Sequence, residues 1–186
     1  MKFFKNPLVA ILISLLLVFS STALSINAKL TDKSEDIIDG FYYGIEANGV
    51  LNTSVYFNLN NLCELSGEIG LIAENYGIDT RELYSNIDNL KESYSFHSDD
   101  IDSIYECYET FYNSLFTVLV ELNETELSDR HLEFMSDAVK QINSFKANID
   151  NSGYNESVNA FRKKFNRFPT NIFADILDID YPEYFA

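Results

Sequence analysis

Side chains able to do acid–base, metal or nucleophilic chemistry are few in this sequence. Its 186 residues include two histidines, His97 and His131, and two cysteines, Cys63 and Cys107. A di-iron or di-manganese bundle takes Glu-x-x-His pairs on inward helix faces. The residues three before the histidines are Tyr94 and Ser128, so that pattern is absent. Zinc takes three or four His, Cys or carboxylate ligands, and these four residues lack paired spacing. Two acidic runs stand out, His97-Ser98-Asp99-Asp100-Ile101-Asp102 and Asp175-Ile176-Leu177-Asp178-Ile179-Asp180. Neither has the central glycine and terminal glutamate of an EF-hand loop. The first reads as a helix start, where carboxylates meet the positive end of the dipole. The second reads as exposed tail, and weak calcium binding is the alternative at either. There is no Gly-x-Ser-x-Gly elbow and no Gly-rich phosphate loop. The expectation is a protein that is not an enzyme, with no catalytic residue, no metal ligand and no cofactor.

The elements that would position these groups are helices. No proline occurs between Lys29 and Phe168, which permits long helices because an interior proline breaks them. Apolar residues recur at steps of three and four. Leu65, Ile69, Ile72 and Tyr76 form one stripe, and Leu83, Ile87, Leu90 and Tyr94 continue it past a break at Gly77. Asp79 with Glu82 reads as a capping box at that break. Asp99 and Asp100 suit the start of a second stripe, Ile101, Ile104, Tyr108, Phe111, Leu115, Leu119 and Leu122. A third runs Leu132, Met135, Val139, Ile142, Phe145 and Ile149, and a fourth Tyr154, Val158, Phe161 and Phe165. A first helix over roughly Ser34 to Asn61 is weakened by Gly40, Gly44 and Gly49, each costing about 1 kcal/mol against alanine. The sum is an all-α protein, an antiparallel up-down helical bundle of about four helices after an N-terminal signal or anchor helix.

That N-terminal segment has a basic start, Lys2 and Lys5, then an apolar run from Leu8 to Phe19 broken only by Ser14, then small residues. This is the layout of a secretory signal, and Ala23-Leu24-Ser25 and Ile26-Asn27-Ala28 both fit its cleavage pattern. The twenty residues from Pro7 to Ile26 also match the length of about 20 that a spanning helix needs. Either way the positive end stays inside and residues 29–186 form an extracytoplasmic domain. Without residues 1–28 the chain carries 11 basic and 29 acidic side chains, a net of −18. Such a surface repels phosphate backbones, so nucleic acid is excluded as a partner. Anionic headgroups are repelled likewise.

The tail from Tyr154 adds a pattern of a different kind. It holds a Tyr-Asn pair, a valine three residues on, a later Asn, Phe-Pro-x-Asn, an Ala and a closing aromatic pair. These are Tyr154, Asn155, Val158, Asn166, Phe168, Pro169, Asn171, Ala174, Tyr184 and Phe185. In order and spacing this resembles the C-terminal signature of the LemA family. Upstream, Glu64 to Glu92 is similar to that family's second helical stretch through Leu65, Tyr76 and Glu82. Leu115, Phe116 and Leu119 resemble its helix-three core. The sequence departs at Asn61-Leu62-Cys63-Glu64-Leu65-Ser66-Gly67-Glu68-Ile69, where the family has paired arginines and an Ile-Pro-Asn-Leu-Val run. The resemblance implies an N-terminal membrane helix, a helical bundle and no established catalysis.

Physically, the signature reads as a structural cap. Phe161, Phe165 and Phe168 would close the bottom of the core and Pro169 would stop the helix. Asn171 would bond freed backbone groups, and Ile172 to Phe185 would fold back over the bundle end. With Cys63 ending helix one and Cys107 starting near the far end of a helix of about 45 Å, no disulfide of about 7 Å reach forms, and two free buried thiols are expected. The function expected is a LemA-like, envelope-associated interaction module. It would be single-pass in the cell membrane if uncleaved, with an envelope protein as partner. The alternatives are a secreted binding protein for a cation or basic peptide, and an adaptor of an envelope protease or other membrane machine.

Overall fold

The computed structural model describes residues 7–47, 49–167, 170–172 and 181–186, with the side chains of all but Leu8 and Ala47. Within them the spacing of three and four becomes helix almost throughout. The order is α1 (Pro7–Tyr43), β1 (Glu46–Ala47), β2 (Val50–Leu51), α2 (Val55–Asn75), α3 (Arg81–Ser93), α4 (Ile101–Asn123), α5 (Asp129–Asp150) and α6 (Tyr154–Phe165). The protein is all-α, and α2 to α5 are its helical bundle.

The apolar N-terminal run and the segment after it are one uninterrupted helix, α1. The helix expected from Ser34 to Asn61 is therefore corrected. Its first part is the end of α1, its last part the start of α2, and an antiparallel hairpin pairing Glu46 with Leu51 separates them. Gly44 makes the break: its φ is +90°, and a Cβ there would collide with the Asn52 carbonyl. Ser54 then caps α2 by accepting from the Phe57 N–H at 3.0 Å, as short polar side chains do at helix starts.

The break at Gly77 is present. The N–H groups of Tyr76 and Gly77 turn back onto Ala73 and Glu74, and Gly77 takes φ 77°. The capping box is not. Thr80 is the N-cap of α3 and makes no side-chain bond there. Asp79 instead grips its neighbour, accepting from the Arg81 N–H at 3.1 Å and from its guanidinium at 2.6 Å. That guanidinium holds the Asp79 carboxyl down at about 2. Asp100 does cap α4, through the Ser103 N–H at 3.0 Å.

Helix α3 packs along α4, and α2 along α5; α2 also touches α3 and α4. At Gly70 the Tyr84 ring lies so close to α2 that a Cβ would meet its hydroxyl at 2.8 Å. Leu59, Leu62, Ile69, Leu83, Leu90, Ile101, Ile104, Phe111 and Leu115 are fully buried. The α5 stripe is shifted from expectation: Met135, Ala138, Ile142 and Ile149 are buried, while Leu132 and Val139 face solvent.

The chain divides into two compact units, Met1–Asp36 with Asn159–Tyr181, and Ile37–Val158 with Pro182–Ala186. Phe161 and Phe165 belong to the first. Their rings lie 4.6 Å apart, and Phe165 meets Tyr181 edge-on at 4.7 Å. They pair within this unit, and neither is a member of the core cluster of the bundle, where they had been expected. Cys63 lies in the middle of α2, not at a helix end, and is buried; Cys107 is half-buried in α4. Both are free thiols. Burial pushes the Cys63 thiol up to about 11.

Candidate functional site

The signature residues converge where the tail returns to the bundle. Gly153 (φ 83°) turns the chain out of α5, and the Ser152 hydroxyl accepts from the Tyr154 N–H at 3.3 Å to start α6. This sets Tyr154 and Asn155 side by side facing residues 183–185. The Tyr154 hydroxyl donates to the Glu183 carbonyl at 2.9 Å. The Asn155 amide works in both directions. Its Nδ2 donates to the Phe185 carbonyl at 3.0 Å, and its Oδ1 accepts from the Phe185 N–H at 2.9 Å. One side chain thus replaces a strand partner for residue 185. The Glu183 carboxylate also accepts from the Asp102 N–H at 3.1 Å, so the tail helps to cap α4.

Pinned this way, the Phe185 ring enters an aromatic cluster with Phe41 at 5.6 Å, Tyr105 at 5.2 Å and Tyr108 at 5.5 Å. Tyr154 meets Phe41 edge-on at 5.4 Å. Such pairs add about 0.5–1.5 kcal/mol beyond area burial. Burial raises the Tyr108 hydroxyl well above the ordinary tyrosine value, and Tyr112 and Glu109 add to the shift. The void beside the clamp is about 10 Å³, room for at most one water. The clamp holds chain; it does not hold a ligand.

The other signature residues are spread. Val158 is buried and Tyr184 half-buried. Asn166 is exposed. The Asn171 N–H donates to the Arg167 carbonyl at 3.1 Å, and its Oδ1 is buried without a hydrogen-bond partner among the described residues. Phe168, Pro169 and Ala174 lie outside the described residues, so the helix stop expected at Pro169 falls there too.

Both histidines are bound to tyrosines. The Tyr43 hydroxyl meets His97 Nε2 at 2.6 Å. The Tyr76 hydroxyl meets His131 Nδ1 at 2.9 Å and accepts from the Ser128 N–H at 3.0 Å. Among the described residues no group of three His, Cys, Asp or Glu side chains is placed to hold a metal ion.

One cleft went unforeseen. Tyr42, Tyr43, Tyr56, Lys91, Tyr94, Ser95, Phe96 and His97 line a space of about 260 Å³. The Tyr42 hydroxyl donates to the Ser98 carbonyl at 2.8 Å, and burial, aided by Asp99, pushes it up to about 12. Phe96 and His97 both sit at positive φ, 59° and 55°, costing about 1–3 kcal/mol each. Phe96 is fully exposed. Chemically the cleft offers ring faces and hydroxyls, with one imidazole, one ammonium and no carboxylate among the described residues that line it. The adjacent tyrosines before Gly44 and the Ser-Phe-His turn are the only sequence signals of it.

Compared with family models, curated proteins and solved structures, the chain matches none.

Proposed function

We propose that the chain is a LemA-like interaction module without catalytic activity, anchored in a membrane by α1, its acidic bundle displayed on the extracytoplasmic side. Helix α1 carries this reading. Among the described residues it is the one helix long and apolar enough to cross a membrane or serve as a signal, with mean hydropathy 2.4 over its most apolar window. Its apolar side chains are exposed on every face; Leu12, Leu15, Leu16, Leu17 and Val18 are each about 60% accessible. A helix apolar all round belongs in lipid or a protein core. Leaving these five in water forgoes about 1.5–3 kcal/mol each, a sum comparable to the whole stability of a domain.

Retention of the segment is supported by its continuity with the domain. Both small-residue cleavage patterns lie inside α1, which runs unbroken to Phe41 and Tyr42 in the bundle core. An interaction role is supported by charge: the unit Ile37–Val158 with Pro182–Ala186 has 23 acidic against 5 basic side chains. The test is the intact mass of the native protein from separated membrane and supernatant fractions. A full-length mass in membranes is expected. A mass starting near Ile26 or Lys29 in the supernatant would overturn the anchor and favour a secreted binding protein.

A further inference from the structure

The seam between α4 and α5 is the one place where successive helices of the bundle stand apart. Their backbones approach less closely than those of α3 with α4 or of α2 with α5. At one point the seam is bridged by the Lys146 ammonium over the Tyr112 ring, 4.7 Å from its centre. Towards the α4–α5 turn it opens into a groove of about 380 Å³ lined by Leu119, Leu122, Leu127, Leu132, Met135 and Val139. Leu132 is 52% exposed and Val139 43%. On α4, outside the groove lining, Phe116 is 60% exposed and Val120 42%.

Helix α4 contributes Leu119, Leu122 and Asn123 to the lining and α5 contributes Leu132, Met135, Ser136 and Val139; Leu122 and Met135 are buried, whereas Leu132 and Val139 are exposed at helical spacing. Leu132 and Val139 are thus apolar side chains of the α5 wall left over after the core is filled. From Leu132 to Val139 the α5 wall of the groove rises about 10 Å, or two turns. That length accepts a helix with apolar anchors at i, i+3 or i+4, and i+7, the helix-in-groove mode.

Charge selects the occupant. Between Asn113 and Phe145 lie Glu121, Glu124, Glu126, Asp129, Glu133 and Asp137, all exposed, against Arg130 and Lys140. Lys140 is already paired with Asp137 at 2.8 Å. Two such acidic rims repel each other, which disfavours a second copy, and they repel anionic headgroups too. The chain's own basic run after Phe161 is excluded as well, because the apolar residues of that face, Phe161 and Phe165, are already buried.

We propose that the α4–α5 groove binds a cationic amphipathic helix of a partner protein, its apolar face on Leu119, Leu132 and Val139 and its lysines or arginines on the carboxylate rim. This rests on the interaction-module reading and gives it a site and a partner chemistry.

The experiment is fluorescence anisotropy with a labelled peptide of about 18 residues. It contains only leucine and lysine, with leucines at i, i+3, i+4 and i+7. The receptor is the full chain in phosphatidylcholine nanodiscs, with empty nanodiscs as baseline. Leu132→Ser with Val139→Ser is expected to weaken binding by about tenfold or more, as loss of central anchors does. Both positions are exposed, so the fold is retained, checked by circular dichroism. Glu124→Gln, Glu126→Gln and Glu133→Gln together should weaken binding and flatten its salt dependence. A peptide of equal composition with leucines at alternate positions should bind at least about tenfold more weakly, lacking a helical face.

Equal affinity of the wild type and the double serine variant, or of the two peptides, would overturn the proposal, leaving unspecific charge attraction. A dimer of the chain that the serine variant dissolves would overturn it in favour of self-association. Failure of the groove with the full chain still held in membranes leaves the anchored module standing. A cleaved, soluble chain removes that reading however the titration ends.

Discussion

Replacing Asn155 by alanine isolates the clamp on the tail. The substitution removes one donor and one acceptor that both serve the backbone of Phe185. Phe185 is 6% exposed, so its N–H and carbonyl are left with little water. Each bond contributes about 1 kcal/mol net, and each orphaned buried group costs about 1–3 kcal/mol. The two orphaned groups together give a loss of about 2–6 kcal/mol. If the tail leaves instead, the penalty is capped by the loss of a phenylalanine from the ring cluster, about 3–5 kcal/mol. Either figure is a large share of the 5–15 kcal/mol typical of a domain. Asn155→Asp should be nearly as damaging at neutral pH, since a carboxylate would face the Phe185 carbonyl. It should recover part of the loss in acid, where the protonated carboxyl again donates. The assay is urea unfolding followed by circular dichroism, with amide exchange at Phe185 read by mass spectrometry. An unmoved midpoint with full protection of the Phe185 amide in Asn155→Ala would refute the reasoning.

Three further outcomes follow from the core and its turns. Tyr42, Tyr94 and Tyr108 all have hydroxyls raised by burial above the ordinary value of 10. A folded value above the unfolded one means stability is full below pH 10 and is lost as pH rises through the folded value. Unfolding should therefore set in between pH 10 and about 12, where Tyr42 ionises, with tyrosinate absorbance and loss of helical signal rising together. Alkylation of the native chain at neutral pH should label half-buried Cys107 and spare Cys63, whose thiol is buried and shifted up to about 11; peptide mapping reads the ratio. Phe96→Gly should raise stability by about 1 kcal/mol, because a fully exposed ring at the cleft edge contributes little burial while its φ of 59° is costly for any residue but glycine.

The parts of the fold that rest on local periodicity could be read from the residues alone. The stripe from Ile101 to Leu122 became α4 with its Asp100 cap, and Gly77 marked a real break. What failed depended on partners distant in sequence. Gly44 and Gly49 were counted as weak points within a helix, when Gly44 stands at a collision with Asn52 that only a hairpin creates. Leu132 and Val139 have the spacing of core residues, but a stripe does not reveal that the facing helix stands away. Phe161 and Phe165 keep helical spacing with Val158 while belonging to another unit, and spacing along one helix cannot show where it changes company. Of the signature, the order of residues was visible, but not the geometry. Nothing local pairs Asn155 with a backbone thirty residues on.

The meeting of Phe41 and Phe185 has a kinetic consequence. Nearly the whole domain lies between them, so their contact is among the longest-range in the fold, and loop closure makes it a late event. Helix pairs such as α3 with α4 are local and can form while the chain is still being made. The ring cluster around Phe41, Tyr105 and Tyr108 must wait until residue 185 has emerged. Until then the nascent bundle carries an open, apolar end, and closing it comes after the local helix pairs have formed.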